Sequence, residues 1–350
     1  MFSRKLNPDN TLPELLDILA NATEFSELPV RHNEDKLNAE LAELVPWPVD
    51  KYALDSPFVK TNLLFQCHFS RIPMPVADYK TDLRSVLEQA IRILQALIDV
   101  TAEFGFLGVT NKVMTLVQMV IQARWLTDST LANLPGISPS LIHKLNTHSP
   151  NPFTHLPELM NTNVRQLNST CMKLKHHKLE ELTKVLKRLP RIKLNLNVRS
   201  KVIDAGGVGV ISIALGRTQD NKQAKKGGNV RAWCPEWPKA KNEGWWLVVG
   251  MEEADELFAL KRITIRGSVN THDLNFEAPL EPGEYTYNVY LMSDSYIGLD
   301  QQDSFQVNVV AGAGDVGEVG VECEEVMQGE GAVGELEGED EEYEEDYPSL

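Results

Sequence analysis

Between residues 11 and 126 apolar positions recur every three or four residues, and after Pro190 they recur every second residue. This change of period predicts a helical part followed by a strand part. In "TLPELLDILANATEF", Thr11 is placed as N-cap, with Pro13 early in the helix and Glu14 three residues on. "NEDKLNAELAELV" takes Asn33 as its cap, and "SPFVKTNLLFQCHFSRI" takes Ser56, with Pro57 at the first helical position. The clearest helix covers 81–106. At 100° per residue Val86, Leu87, Ile91, Leu94, Leu97 and Ile98 share one face, and Ser85, Gln89, Arg92, Asp99 and Glu103 share the other. "NKVMTLVQMVIQARWL" is apolar around most of its circumference, which suits the centre of a helical bundle.

Residues 127–190 read as a second helical unit with a Leu134-Pro135-Gly136-Ile137 turn, closed by "NVRQLNSTCMKLKHHKLEELTKVLKRLP". Beyond Pro190, seven or so short alternating runs, "IKLNLNV" to "FQVNVV", predict an antiparallel β-sandwich of immunoglobulin or fibronectin type III class over 191–310. "RTQDNKQAKKGGN" reads as a polar basic loop between them. The expected fold is therefore α plus β and multidomain: a helical bundle (11–126), a helix-loop-helix (127–190), a sandwich (191–310) and a tail (311–350).

Composition changes the picture in one place. The formal net charge is -16, but 15 of the 50 acidic residues lie in 311–350, which holds no Lys or Arg. The rest of the chain carries 35 acidic against 34 basic residues and is near neutral. Rich in Gly and Glu and poor in large apolar groups, the tail is expected to be disordered. Cys67, Cys171, Cys234 and Cys323 are dispersed, and no signal-like segment opens the chain, which favours a reducing compartment. No apolar run approaches the roughly 18 residues that cross a bilayer.

Catalytic motifs are not found. There is no G-x-x-x-x-G-K-[ST] phosphate loop, and Gly206-Gly207 precedes a strand pattern, not a helix. His176 and His177 point about 100° apart on a helix and with Cys171 do not make a metal-ligand set. Ser293, Asp294 and Asp300 around Tyr296 lack a nucleophile elbow or a histidine and read as a capped strand-to-strand turn. Gln89, Arg92 and Gln95 are suited to phosphate or base contacts, but a solvated face with a Glu88 to Arg92 ion pair explains the same pattern. The Leu134–Ile137 turn resembles half of a helix-hairpin-helix, but a plain interhelical turn is the preferred reading.

Five stretches in order, "ELPVRHNED" (27–35), "DSPFVKTNLLFQCHFSR" (55–71), "QMVIQARWLTDSTLANLPGI" (118–137), "KNEGWWLVVG" (241–250) and "YLMSDSYIGLDQQ" (290–302), closely resemble the C-terminal Sec-sixty-three homology unit of Ski-two-like superfamily-two helicases. The resemblance covers about 11–310. Two branches carry the unit, one typified by the helicase subunit three of the activating signal cointegrator complex and one by the spliceosomal Brr-two type. "PVRHNED", "VADYKTDLRSVLEQAIRILQALIDV" and "IGLDQQ" are more similar to the first.

The resemblance implies a non-catalytic module of a three-prime to five-prime helicase, whose family acts in alkylation-damage repair and ribosome quality control. Its partners would be the RecA and winged-helix domains of the helicase, single-stranded RNA or DNA, and subunits of a cointegrator-type complex, in nucleus and cytoplasm. No cofactor is expected in this chain, since ATP and magnesium belong to RecA domains. The helix 81–106 corresponds to the family's ratchet helix, with Gln89, Arg92 and Gln95 facing the strand. Asp294, Tyr296 and Gly298 form the turn that marks the end of the sandwich, with Tyr296 packing its ring and Gly298 supplying a backbone angle. The rival expectation is a free-standing protein-interaction scaffold.

Overall fold

A computed structural model of the chain describes residues 5–147, 152–162, 175–218 and 230–311. The basic loop from 219 on, Cys171, and the acidic tail from 312 on lie outside the described residues. The class is α plus β. Helices α1 (Leu12–Ala20), α2 (Glu34–Ala42), α3 (Pro57–Ser70), α4 (Ala77–Glu103) and α5 (Leu107–Gln122) come first, followed by the shorter α6 (Pro139–Asn146) and α7 (Leu156–Met160), then α8 (His176–Arg188). Among the described residues eight strands follow: β1 (Ile192–Val198), β2 (Val202–Asp204), β3 (Val208–Arg217), β4 (Trp245–Met251), β5 (Glu256–Ile263), β6 (Val269–Glu277), β7 (Gly283–Ser293) and β8 (Gln301–Val310).

Local chemistry sets the helix ends. The Glu14 carboxylate accepts from the Thr11 N–H at 2.8 Å, and Ser56 Oγ accepts from Phe58 N–H at 3.2 Å. Asn33 does not cap α2 as expected. Its backbone is left-handed (φ 65°) and its side chain makes no cap bond, because the next residue, Glu34, takes the Arg31 N–H at 2.8 Å and turns the chain. α4 begins four residues before 81 and stops short of 106. Gly105, at φ 74°, donates to Ala102 O while Phe106 donates to Thr101 O, a glycine-ended helix stop. That corner is pinned to the sheet: Leu257 N–H donates to Gly105 O at 2.8 Å, and Gly108 N–H donates to Asp255 at 2.6 Å.

The strands form a three-stranded sheet, β1-β3-β6, and a five-stranded sheet, β2-β8-β7-β4-β5. Pairing is not wholly antiparallel, since the three-residue β2 runs parallel to β8, with Val202 opposite Asn308. A strand so short has no readable alternation, so the sequence conceals it. Inward side chains of both sheets, among them Ile213, Phe276, Leu247, Tyr287 and Val307, share one apolar cluster with α6, α7 and α8. β4 explains its own unbroken run, "WWLVVGM". Trp245, Leu247 and Val249 enter that cluster, while Trp246 and Val248 join a second one built on α1, α3, α4 and α5. The described residues up to 311 form one compact unit in which β4 is buried on both faces. Burying an indole of about 200 Å² contributes on the order of 5 kcal/mol, enough for Trp246 to hold the helical layer against the sheet.

Candidate nucleic-acid interface

The polar stripe of α4 carries Gln89, Arg92 and Gln95 at intervals of three residues, above the buried row of Val86, Leu94, Leu97 and Ile98. The Arg92 side chain is 73% exposed. The expected Glu88 to Arg92 pair is not made: Glu88 takes Arg84 at 3.4 Å and Lys239 at 3.1 Å. Lys239, reaching over from the segment before β4, draws Glu88 away from its own helix. Arg92 keeps a 3.5 Å contact with Glu24, a surface pair of at most about 1 kcal/mol that a phosphate would displace at little cost.

Gln95 is engaged. With its amide oxygen turned to the sheet, it accepts from Arg262 of β5 at 2.6 and 3.1 Å. The Arg262 guanidinium lies 5.9 Å from the Trp246 ring and 3.3 Å from the Asp294 carboxylate. Arg262 was not among the residues singled out from the sequence. Its only signal is that Lys261 and Arg262 interrupt the alternation of "LFALKRI" with two adjacent exposed cations.

Asp294 is 2% exposed. Its carboxylate accepts from Gly244 N–H at 2.8 Å, Ser295 Oγ at 2.6 Å and Lys241 Nζ at 2.8 Å as well as from Arg262. Gly244 is required here, because a Cβ at that position would overlap the Asp294 carboxyl. The Tyr296 ring is buried, and its hydroxyl accepts from Trp233 N–H at 2.9 Å and donates to Glu243 at 3.3 Å. Burial pushes the Glu243 carboxyl above the usual carboxylate range against the opposing pull of Arg217. Gly298 has φ 82°, and a Cβ there would lie 2.5 Å from Thr130 Cγ2. Two buried glutamines of α5 clamp the same turn: Gln118 donates to Ser293 O at 2.8 Å, and Gln122 donates to Ser295 O. The turn thus joins α5, the 241–244 segment and β5, whose Arg262 reaches Gln95 on α4.

The Leu134–Ile137 turn closes with Ile137 N–H donating to Leu134 O at 3.3 Å, and Gly136 is left-handed at φ 75°. His176 is 87% exposed, 3.5 Å from Glu180.

Asp300 accepts from Ser293 N–H at 2.7 Å and from Gln118, yet burial pushes its carboxyl up to about 6. An acid whose folded value exceeds its unfolded value, about 3.9, contributes stability that is full below pH 4 and lost as pH rises through 6. Asp300→Asn fixes the neutral form. Urea unfolding at pH 5 and pH 7.5 should therefore show the variant gaining on the wild type by on the order of 1–2 kcal/mol as pH rises. A gap independent of pH would contradict this.

Residues 1–306 match the Sec63 Brl domain family. The activating signal cointegrator 1 complex subunit 3 of Gallus gallus is 36% identical over 352 residues, covering 89% of this chain and 16% of that protein. The DExH-box ATP-dependent RNA helicase DExH14 of Arabidopsis thaliana is 38% identical over 311 residues, covering 87% and 14%. The U5 small nuclear ribonucleoprotein 200 kDa helicase of Homo sapiens is 33% identical over 310 residues, covering 88% and 14%. The chain spans 14–16% of the length of these relatives. The similarity expected from the five quoted stretches is found, and identity is higher to the cointegrator subunit than to the U5 helicase. The chain belongs to the Sec63 Brl domain family.

Proposed function

We propose that this chain is a non-catalytic module of an ATP-dependent three-prime to five-prime helicase, and that α4 guides a single strand past Gln89, Arg92 and Gln95. On this reading residues 11–126 act as a helical bundle, 127–190 as a helix-loop-helix and 191–310 as a fibronectin type III-like sandwich. ATP and magnesium are held by RecA domains outside this chain, which with a winged-helix domain and subunits of a cointegrator-type complex are its partners, in nucleus and cytoplasm. Repair of alkylated DNA and ribosome quality control are the processes it would serve. The observation that carries the reading is the exposed guanidinium of Arg92, weakly paired and flanked by two amides on a rigid, well-packed helix. Such a row tracks a backbone without reading its sequence. The names of relatives that are RNA helicases support RNA as one substrate.

Binding of a labelled single-stranded RNA, followed by fluorescence anisotropy at several salt concentrations, tests this. Arg92→Ala should weaken binding several-fold and reduce the salt slope by about 0.7, the loss of one phosphate contact. Unchanged affinity and slope would contradict it. The second reading is a protein-interaction scaffold, favoured by an open groove of 550 Å³ where Leu44 (62% exposed) and Leu126 (47% exposed) lie beside Trp47 and Trp125. It predicts intact RNA binding in Arg92→Ala and loss of partner capture when the groove is altered.

A further inference from the structure

The open end of the β4–β5 pair forms a cleft of 410 Å³ lined by Lys241, Glu243, Gly244, Arg262, Thr264, Arg266 and Asp294, among others. That volume falls in the range of small-ligand sites, about 300–1,000 Å³. Its charge is not balanced. Glu243 is matched from behind by Arg217, whose Nη2 donates to it at 2.7 Å, both side chains being almost fully buried. Asp294 offers one negative charge to two cations, Lys241 at 2.8 Å and Arg262 at 3.3 Å. Arg266 adds a third cation on the exposed rim. With Arg217 counted, the lining therefore carries a net charge of about two positive units.

The cleft is also continuous with α4. Arg262 belongs to its wall and donates to Gln95 at the end of the α4 stripe. The stripe of α4 and the cleft therefore meet at the Gln95–Arg262 contact.

We infer that this cleft is a second phosphate-binding site, in which Lys241, Arg262 and Arg266 hold a backbone phosphodiester of the strand that has passed α4. The inference rests on the strand-guiding reading of α4 and extends it to the sheet. Asp294 acts as a positioning residue: it fixes Lys241 within the cleft and Arg262 in its wall and touches no phosphate itself. Arg guanidinium and Lys ammonium groups with no base-edge partner recognise the backbone, so the site takes RNA and DNA single strands alike.

The test uses the whole chain and a labelled 20-nucleotide single strand. Arg266→Glu reverses a rim charge without entering a buried pair, and Thr264→Glu, on the exposed lip, adds a negative charge while leaving every cation in place. Each should weaken binding roughly tenfold and lower the salt slope, with thermal unfolding unchanged. A strand carrying neutral methylphosphonate linkages throughout should bind weakly and respond to neither substitution. If Arg92→Ala weakens binding while both cleft variants bind as wild type, the second site is overturned and the α4 reading stands. If no variant weakens binding, the α4 reading falls and this inference with it. If only the cleft variants weaken binding, the continuous path from α4 is overturned.

Discussion

Lys60→Met should destabilise the chain by about 3–5 kcal/mol in denaturant unfolding, although Met has nearly the same volume and shape. Lys60 is completely buried on α3. Its ammonium donates to Glu34 at 2.6 Å, Asp82 at 2.7 Å and Pro29 O at 2.7 Å, and lies 4.5 Å from the Tyr79 ring. Arg31 completes the cluster from the rim, at 2.9 Å from Glu34 and 2.7 Å from Asp82. The cluster ties α2, α3 and α4 together, so its loss loosens the seat of the helix that carries Arg92. Burial pushes the Glu34 and Asp82 carboxyls up, but hydrogen bonds from Lys60 and Arg31 outweigh it and hold both below the usual range. Their contribution is present above the unfolded values, about 4, and is lost as pH falls through the lower folded values. Without Lys60, two buried carboxylates share one partly exposed guanidinium. Replacing Lys60, Glu34 and Asp82 together by apolar residues should recover most of the loss, because no buried charge is then left unmatched. A loss under about 1 kcal/mol for Lys60→Met would show that the cluster is not the fastening described.

Asp294→Ala is the second large effect, about 3–4 kcal/mol, and it has a consequence that the first does not. Removing the carboxylate strands the buried Gly244 N–H and the Ser295 hydroxyl and leaves Lys241 and Arg262 with no shared counter-charge. Asp294→Asn keeps a neutral acceptor for Gly244 and should cost less than half as much. In both variants Arg262 loses the group that fixes it beside Trp246 and Gln95. Strand binding should therefore weaken in Asp294→Asn even at temperatures where the protein is fully folded. Equal unfolding midpoints for Asp294→Ala and wild type would contradict the assignment of this carboxylate as the organiser of the turn.

The helices were legible because Thr11, Ser56 and Pro57 mark their starts and the 3.6-residue period persists on α4 and α5. The strands were legible wherever one face is buried and the other wet. β2 was not, having three residues, and neither was the polar start of β8, where Gln301, Gln302 and Asp303 pair with Leu291, Tyr290 and Val289 without any apolar alternation of their own. Asn33 shows the limit of cap rules: a good capping residue takes a left-handed backbone when its neighbour's carboxylate is bound into a buried ion cluster. The Glu88 to Arg92 pair failed for a related reason. Spacing on one helix cannot reveal Lys239, which approaches from more than a hundred residues away. Arg262 was hidden in the same manner, since only the fold brings β5 to Gln95. The stretches that carried the resemblance hold the buried polar contacts: Arg31, Glu34 and Lys60 in the first two, Gln118 and Gln122 in the third, Gly244 and Asp294 in the last two.

The strand-guiding role proposed for α4 is tested most directly by joining this module to RecA and winged-helix domains of a family helicase and measuring duplex unwinding beside ATP hydrolysis. Arg92→Ala should slow unwinding several-fold while ATP hydrolysis without RNA stays near the wild-type rate, because the motor domains are untouched and only the grip on the strand is lost. Equal loss of both activities, or loss of neither, would contradict the role assigned to this helix.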